Sequence, residues 1–129
     1  MDKLDPNKEY IRYRLYRQHA SMNKNTYVKD ISKLGRNLNR TIIIDNVWEN
    51  FQLQPDNGIY IKTWMDDPKD TWLYDLRPLL KDMVINKIKD VKTILRKFRD
   101  TMIRLYVKGD SNPYETLRKN FVSEKEYEE

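Results

Sequence analysis

The spacing of apolar residues changes several times along the chain, and each change predicts an element. After Asp5-Pro6-Asn7-Lys8, a turn signal in which Pro fixes φ and Asn tolerates left-handed backbone, the stretch Tyr10–Tyr16 alternates. Tyr10, Arg12, Arg14 and Tyr16 fall on one face and Ile11, Tyr13 and Leu15 on the other. Period two predicts a strand with one apolar face. Asn23-Lys24-Asn25 predicts a second turn, Tyr27–Ile31 a short extended piece, and Leu34–Asn39 a single helical turn. Thr41-Ile42-Ile43-Ile44 is four β-branched residues without alternation, the pattern of a parallel strand buried on both faces. It runs directly into Asp45-Asn46. Polar residues just past a buried parallel strand mark ligand sites in open α/β sheets, and they also make helix caps and Asx turns.

Pro55-Asp56-Asn57-Gly58 predicts a turn, and Ile59-Tyr60-Ile61 another short strand. Asp66 or Asp67 with Pro68 predicts a helix start, with Leu73, Leu76, Leu79 and Leu80 on one face. From Val84 to Tyr106 neither Pro nor Gly intervenes. Val84, Ile88, Val91, Leu95, Phe98, Met102 and Leu105 recur at spacings of four and three, which predicts one continuous amphipathic helix. Its other face is basic, with Lys87, Lys89, Lys92, Arg96, Lys97, Arg99 and Arg104. A solvated face and a docking face for a partner helix, membrane surface or nucleic acid share that pattern. Ser123–Glu129 predicts a disordered acidic tail.

Composition narrows the chemistry. The 129 residues fit one small domain. There is no Cys and one His, His19, so disulfides, thiolate zinc sites, Cys nucleophiles and multi-His metal sites are excluded. Metal chemistry is restricted to hard oxygen ligands. The net charge of +5 alternates along the chain. Residues 1–36 carry nine basic and four acidic groups, 37–80 four and seven, 81–108 nine and three, and 109–129 three and six. That modular pattern is unlike a uniformly basic nucleic-acid binder, and no direct nucleic-acid contact is expected. No apolar run reaches membrane-span length, and the N-terminus has neither a signal-peptide core nor an Arg-rich presequence. An intracellular protein is the expectation, nuclear or cytoplasmic rather than mitochondrial.

Four segments in register carry a resemblance: YRLYRQHA (13–20), YVKDISKLGRNL (27–38), IIIDN (42–46) and FQLQPDNGIYIKTWMDD (51–67). Over roughly residues 2–95 the chain resembles the C-terminal half of the nuclear-LIM-interactor-interacting-factor-like phosphatase domain, of the haloacid dehalogenase superfamily. Small phosphatases of the RNA polymerase II C-terminal domain, Dullard and the receptor subunit of the mitochondrial inner-membrane translocase share that domain. The resemblance implies an α/β chain with a partial Rossmann-like fold lacking its N-terminal strands, and the apolar periodicity adds a long C-terminal amphipathic helix after it. The expected division is 1–83 for the phosphatase-like half, 84–107 for the basic helix and 108–129 for a flexible tail.

It also implies Mg²⁺-assisted phosphoryl transfer from a Ser or Thr of a phosphoprotein to an Asp and then to water. Lys29 matches the lysine that neutralises the attacking carboxylate and the phosphoryl oxygens. Asp45 matches the residue ordering that lysine and the metal's water, Asn46 a direct Mg²⁺ ligand, and Arg17 a substrate-phosphate contact. Without the resemblance Lys29 reads as a solvated strand-edge residue and Arg17 as ordinary basic surface. His19 has no matching catalytic role. Val47-Trp48 stands where relatives often have Ser-Pro, and Ala20 where Cys is common.

The largest departure is the nucleophile. No two aspartates lie two residues apart, so the Asp-x-Asp motif is not in these 129 residues, nor is the second motif's Ser or Thr. The chain by itself is expected to be inactive. A truncated gene, an internal start or a split gene, with a complementing N-terminal half, is one expectation. A non-catalytic protein-binding module is the alternative.

Overall fold

The computed structural model describes residues 3–117; the predicted tail at Ser123–Glu129 lies outside them. The N-terminal turn forms as expected, with Lys8 at φ 53°. The buried Asp5 carboxylate accepts the amides of Glu9, Tyr10 and Ile11 at 2.9, 3.2 and 2.8 Å. These donors, led by Ile11, hold its carboxyl below the ordinary range despite burial.

The strand expected at Tyr10–Tyr16 is not formed. Residues 11–16 have no ladder partner among the described residues, and Tyr10, Tyr13, Leu15 and Tyr16 are exposed. Period-two patterning equips a segment to be a strand, but a ladder needs a neighbour. The chain then makes a hairpin, β1 (Ser21–Asn23) paired antiparallel with β2 (Thr26–Val28). Its two-residue loop places Lys24 and Asn25 at φ 49° and 66°, the backbone that matches strand twist in tight hairpins. Two 3-10 turns, Ile31–Leu34 and Leu38–Arg40, replace the single turn expected over Leu34–Asn39.

β3 (Ile43–Asp45) pairs parallel with β4 (Gly58–Tyr60), with Asp45 opposite Tyr60. The parallel prediction holds, but burial on both faces does not: Ile44 is 38% exposed. The described residues contain two separate two-stranded sheets rather than one continuous sheet, so no helix-covered second face exists to bury Ile44.

The connection between β3 and β4 contains the 3-10 turns Trp48–Phe51 and Pro55–Asn57. Gly58 is required here, because a Cβ would overlap the buried Phe51 ring. Asn57, also buried, donates to the carbonyls of Leu38 and Thr41 at 2.6 and 2.9 Å and fastens the chain that enters β3.

α1 (Trp72–Ile85) starts at Thr71 rather than at Asp66 or Asp67. Asp66 instead takes φ 63°, and Asp70 accepts the Trp72 amide at 3.0 Å. The expected continuous helix from Val84 to Tyr106 is split: α1 ends at Ile85 and α2 runs Val91–Val107. At the break, Lys87 stands at φ 51°, with Ile88 N donating to Met83 O and Lys87 N to Val84 O, each at 3.2 Å. That pair of hydrogen bonds is a Schellman termination with a lysine where glycine is usual. Asp90 then caps α2 through the Lys92 amide at 3.0 Å. Val84, placed on the apolar stripe by the pattern, is exposed.

The core joins Ile59 of β4, Leu76 and Met83 of α1, Val91 and Leu95 of α2, and Tyr114. Residues 113–117, expected to be flexible, are helical, and Tyr114 is 4% exposed. On the basic face, Arg96 and Arg99 are ion-paired with Asp56 at 2.7 and 3.3 Å. Among the described residues no helix is long and apolar enough to cross a membrane.

Candidate functional site

Two strand ends converge on one ion pair. Lys29 follows β2, and its amide donates to Asn50 O at 2.7 Å. Asp45 ends β3, and Ile61 N donates to its backbone carbonyl at 3.0 Å. Lys29 Nζ reaches Asp45 Oδ2 at 2.5 Å; the Asp45 side chain is 3% exposed and that of Lys29 57%.

The remaining Asp45 acceptor sites are also engaged. Val47 N donates to Oδ1 at 2.9 Å, and Asn50 Nδ2 lies 3.2 and 3.3 Å from Oδ1 and Oδ2. Burial pushes the Asp45 carboxyl up, but the Lys29 ammonium, the Val47 amide and the Asn50 amide outweigh it and hold the group below the ordinary carboxylate range. Asp45 is therefore an anion at neutral pH, and it anchors the ammonium of a lysine whose side chain is more than half exposed.

Asp30 next door is tied back to the same connection. Its Oδ1 accepts Ser32 Oγ at 2.5 Å and Gln54 Nε2 at 2.9 Å, while Gln54 Oε1 accepts the Ile31 amide at 3.2 Å. Ser32 and then Gln54 hold the Asp30 carboxyl low.

Asn46 is exposed and directs Nδ2 to Thr63 Oγ1 at 3.0 Å, leaving its Oδ1 outside that bond. It borders a cleft of about 610 Å³ that Trp64, Trp72 and Tyr74 also line. Arg17 lies in an exposed 3-10 turn, Arg17–His19. No described hydrogen bond or ion pair joins it to Lys29 or Asp45. Lys29 and Asp45 are thus brought together, Asn46 adjoins them in the chain, and Arg17 is not drawn in. Asn50 and Gln54 were missed by sequence reading. Their only signal is a cluster of amide side chains between two predicted strands.

The fit to Mg²⁺ is incomplete. The ion prefers near-octahedral oxygen ligation with at least one free carboxylate. The Asp45 carboxylate is already shared among three donors, and among the described residues no group of three or more Asp, Glu, His or Cys side chains is gathered. The residues present do not by themselves make a Mg²⁺ site.

A lysine and a buried aspartate delivered by successive strand ends, within motifs already quoted, define a phosphatase-like α/β class. The chain belongs to the NLI interacting factor-like phosphatase family, which matches residues 1–92. It is 43% identical over 100 residues to a probable C-terminal domain small phosphatase of Dictyostelium discoideum, covering 78% of this chain and 32% of that protein. It is 40% identical over 96 residues to CTD nuclear envelope phosphatase 1 of Xenopus laevis, covering 74% and 38%. A mitochondrial import inner membrane translocase subunit of Kluyveromyces lactis is 38% identical over 99 residues, covering 77% and 20%. The chain spans well under half the length of these relatives.

Proposed function

We propose that this chain supplies the C-terminal part of a Mg²⁺-dependent protein serine/threonine phosphatase-like domain of Rossmann-like fold, acting on a phosphoprotein. The observation that carries the reading is the 2.5 Å pair of Lys29 and Asp45, built by two strand ends inside the family-matched region. The ammonium spends one donor on Asp45, and the others are free to take phosphoryl oxygens. Asn46 is the proposed metal ligand and Arg17 the proposed outer phosphate contact. Oxygen donors from outside these 129 residues must complete the metal site, and the nucleophile and general acid/base come from there too.

The chain alone therefore binds phosphate weakly and does not turn over. Co-expression with the N-terminal portion of the Dictyostelium relative tests this. Mg²⁺-dependent hydrolysis of an aryl phosphate is expected from the pair, lost with Lys29→Met; a folded, stable complex without activity counts against it.

A non-catalytic protein-binding module is the second reading, favoured by the full engagement of the Asp45 carboxylate. Charge reversal at Lys92, Arg96 and Arg99 should then abolish partner capture. Unchanged capture removes that helix face from consideration.

A further inference from the structure

After α2, Gly109 takes φ 95° and closes a second Schellman turn, with Asp110 N donating to Leu105 O at 3.1 Å and Gly109 N to Tyr106 O at 3.0 Å. The chain returns across the core. Asp110 accepts the Asn112 amide at 3.0 Å and Thr116 Oγ1 at 2.5 Å, which shapes the returning turn. Asn112 Nδ2 donates to Asp75 Oδ2 at 3.3 Å, the oxygen that also accepts Thr71 Oγ1 at 2.7 Å at the start of α1.

Pro113 and Tyr114 are buried. The Tyr114 ring meets Trp72 edge-on, centroids 4.7 Å apart, and stacks on Phe98 at 5.5 Å. Its hydroxyl donates to the carbonyl of Tyr60. Tyr60 is the last residue of β4 and sits opposite Asp45, and the next amide, Ile61 N, donates to the Asp45 carbonyl at 3.0 Å. Two hydrogen bonds and one peptide unit thus lead from Tyr114 to Asp45. The strap residues 109–117 lie beyond the family-matched residues 1–92, whereas the strand end they hold lies within them.

We infer that residues 109–117 form a strap that holds the C-terminal end of β4 from behind, with Tyr114 the positioning residue for Asp45. A two-stranded ladder is marginal on its own, and β3 and β4 pair over three residues each. Ring packing anchors the strap, and the hydroxyl fixes the Tyr60 carbonyl. That in turn fixes the peptide whose N–H holds Asp45. Because it concerns the geometry of Asp45, the inference goes beyond the phosphatase-like reading and does not depend on turnover.

Amide hydrogen exchange by NMR on the full chain tests it. Tyr114→Phe keeps the ring and removes the donor, which is expected to speed exchange at Ile61 about two- to tenfold. Leu76 and Leu95 amides change less. Asn112→Ala frees the strap without touching Tyr114 and is expected to act in the same direction; it carries the comparison if Tyr114→Phe does not fold. Uniform acceleration at all core amides, or an unaltered Ile61 rate in a folded variant, overturns the inference.

Discussion

Lys29→Met removes the ammonium from a carboxylate that cannot move into water. Asp45 is 3% exposed and keeps only the Val47 and Asn50 donors in the variant. Losing one partner of a fully buried pair costs about 3–5 kcal/mol, whereas exposed pairs contribute about 0–1. Lys29 is 57% exposed, so solvent screens its charge and the cost falls between, at about 1–2 kcal/mol at pH 7. For a domain of this length that lowers Tm by about 3–10 °C. In the wild type the folded Asp45 pKa lies below its unfolded value, so the pair's contribution is fully present above the unfolded value of about 3.9 and is lost as pH falls through the folded one. The variant's deficit should therefore be full at pH 6–8 and shrink in acid. Urea unfolding followed by Trp fluorescence at pH 7 and pH 3.5 measures both, and Lys29→Met/Asp45→Asn should recover part of the loss. A deficit under about 0.3 kcal/mol at pH 7, or one equally large in acid, refutes the reasoning.

Gly58→Ala should cost about 2–3 kcal/mol, read as a fall in urea midpoint, because its Cβ enters the Phe51 ring; an unchanged midpoint shows that the β3–β4 connection yields. Lys87→Gly should stabilise by about 0.5–1 kcal/mol by relieving a left-handed lysine; a lower Tm contradicts the Schellman assignment. Asp56→Asn releases Arg96 and Arg99, and the resulting small fall in Tm should vanish in 1 M salt. A salt-independent loss places the role of Asp56 in its own turn instead.

How much was legible follows from which elements depend on local chemistry. The hairpin loop at Lys24-Asn25, the parallel strand entering Asp45 and the turn at Pro55–Gly58 were readable from residue type and spacing. Lys29 and Asp45 could be paired only through the family resemblance, since sixteen residues separate them. The split between α1 and α2 was hidden because the left-handed position holds Lys87 rather than Gly, and the apolar heptad continues across the break. Gly109 marks the same motif at the end of α2, where the helix was expected to stop. Tyr10–Tyr16 failed for the opposite reason: its pattern is that of a strand, but no neighbour among the described residues pairs with it. Tyr114 was invisible, as one aromatic in a polar stretch carries no period.

Hydrolysis of an aryl phosphate by the purified 129-residue chain, with and without Mg²⁺, tests most directly the claim that Lys29 and Asp45 form a phosphate-facing pair without a nucleophile. No turnover above the buffer rate is expected at any Mg²⁺ concentration. Mg²⁺-dependent turnover that disappears in Asp45→Ala would contradict the claim.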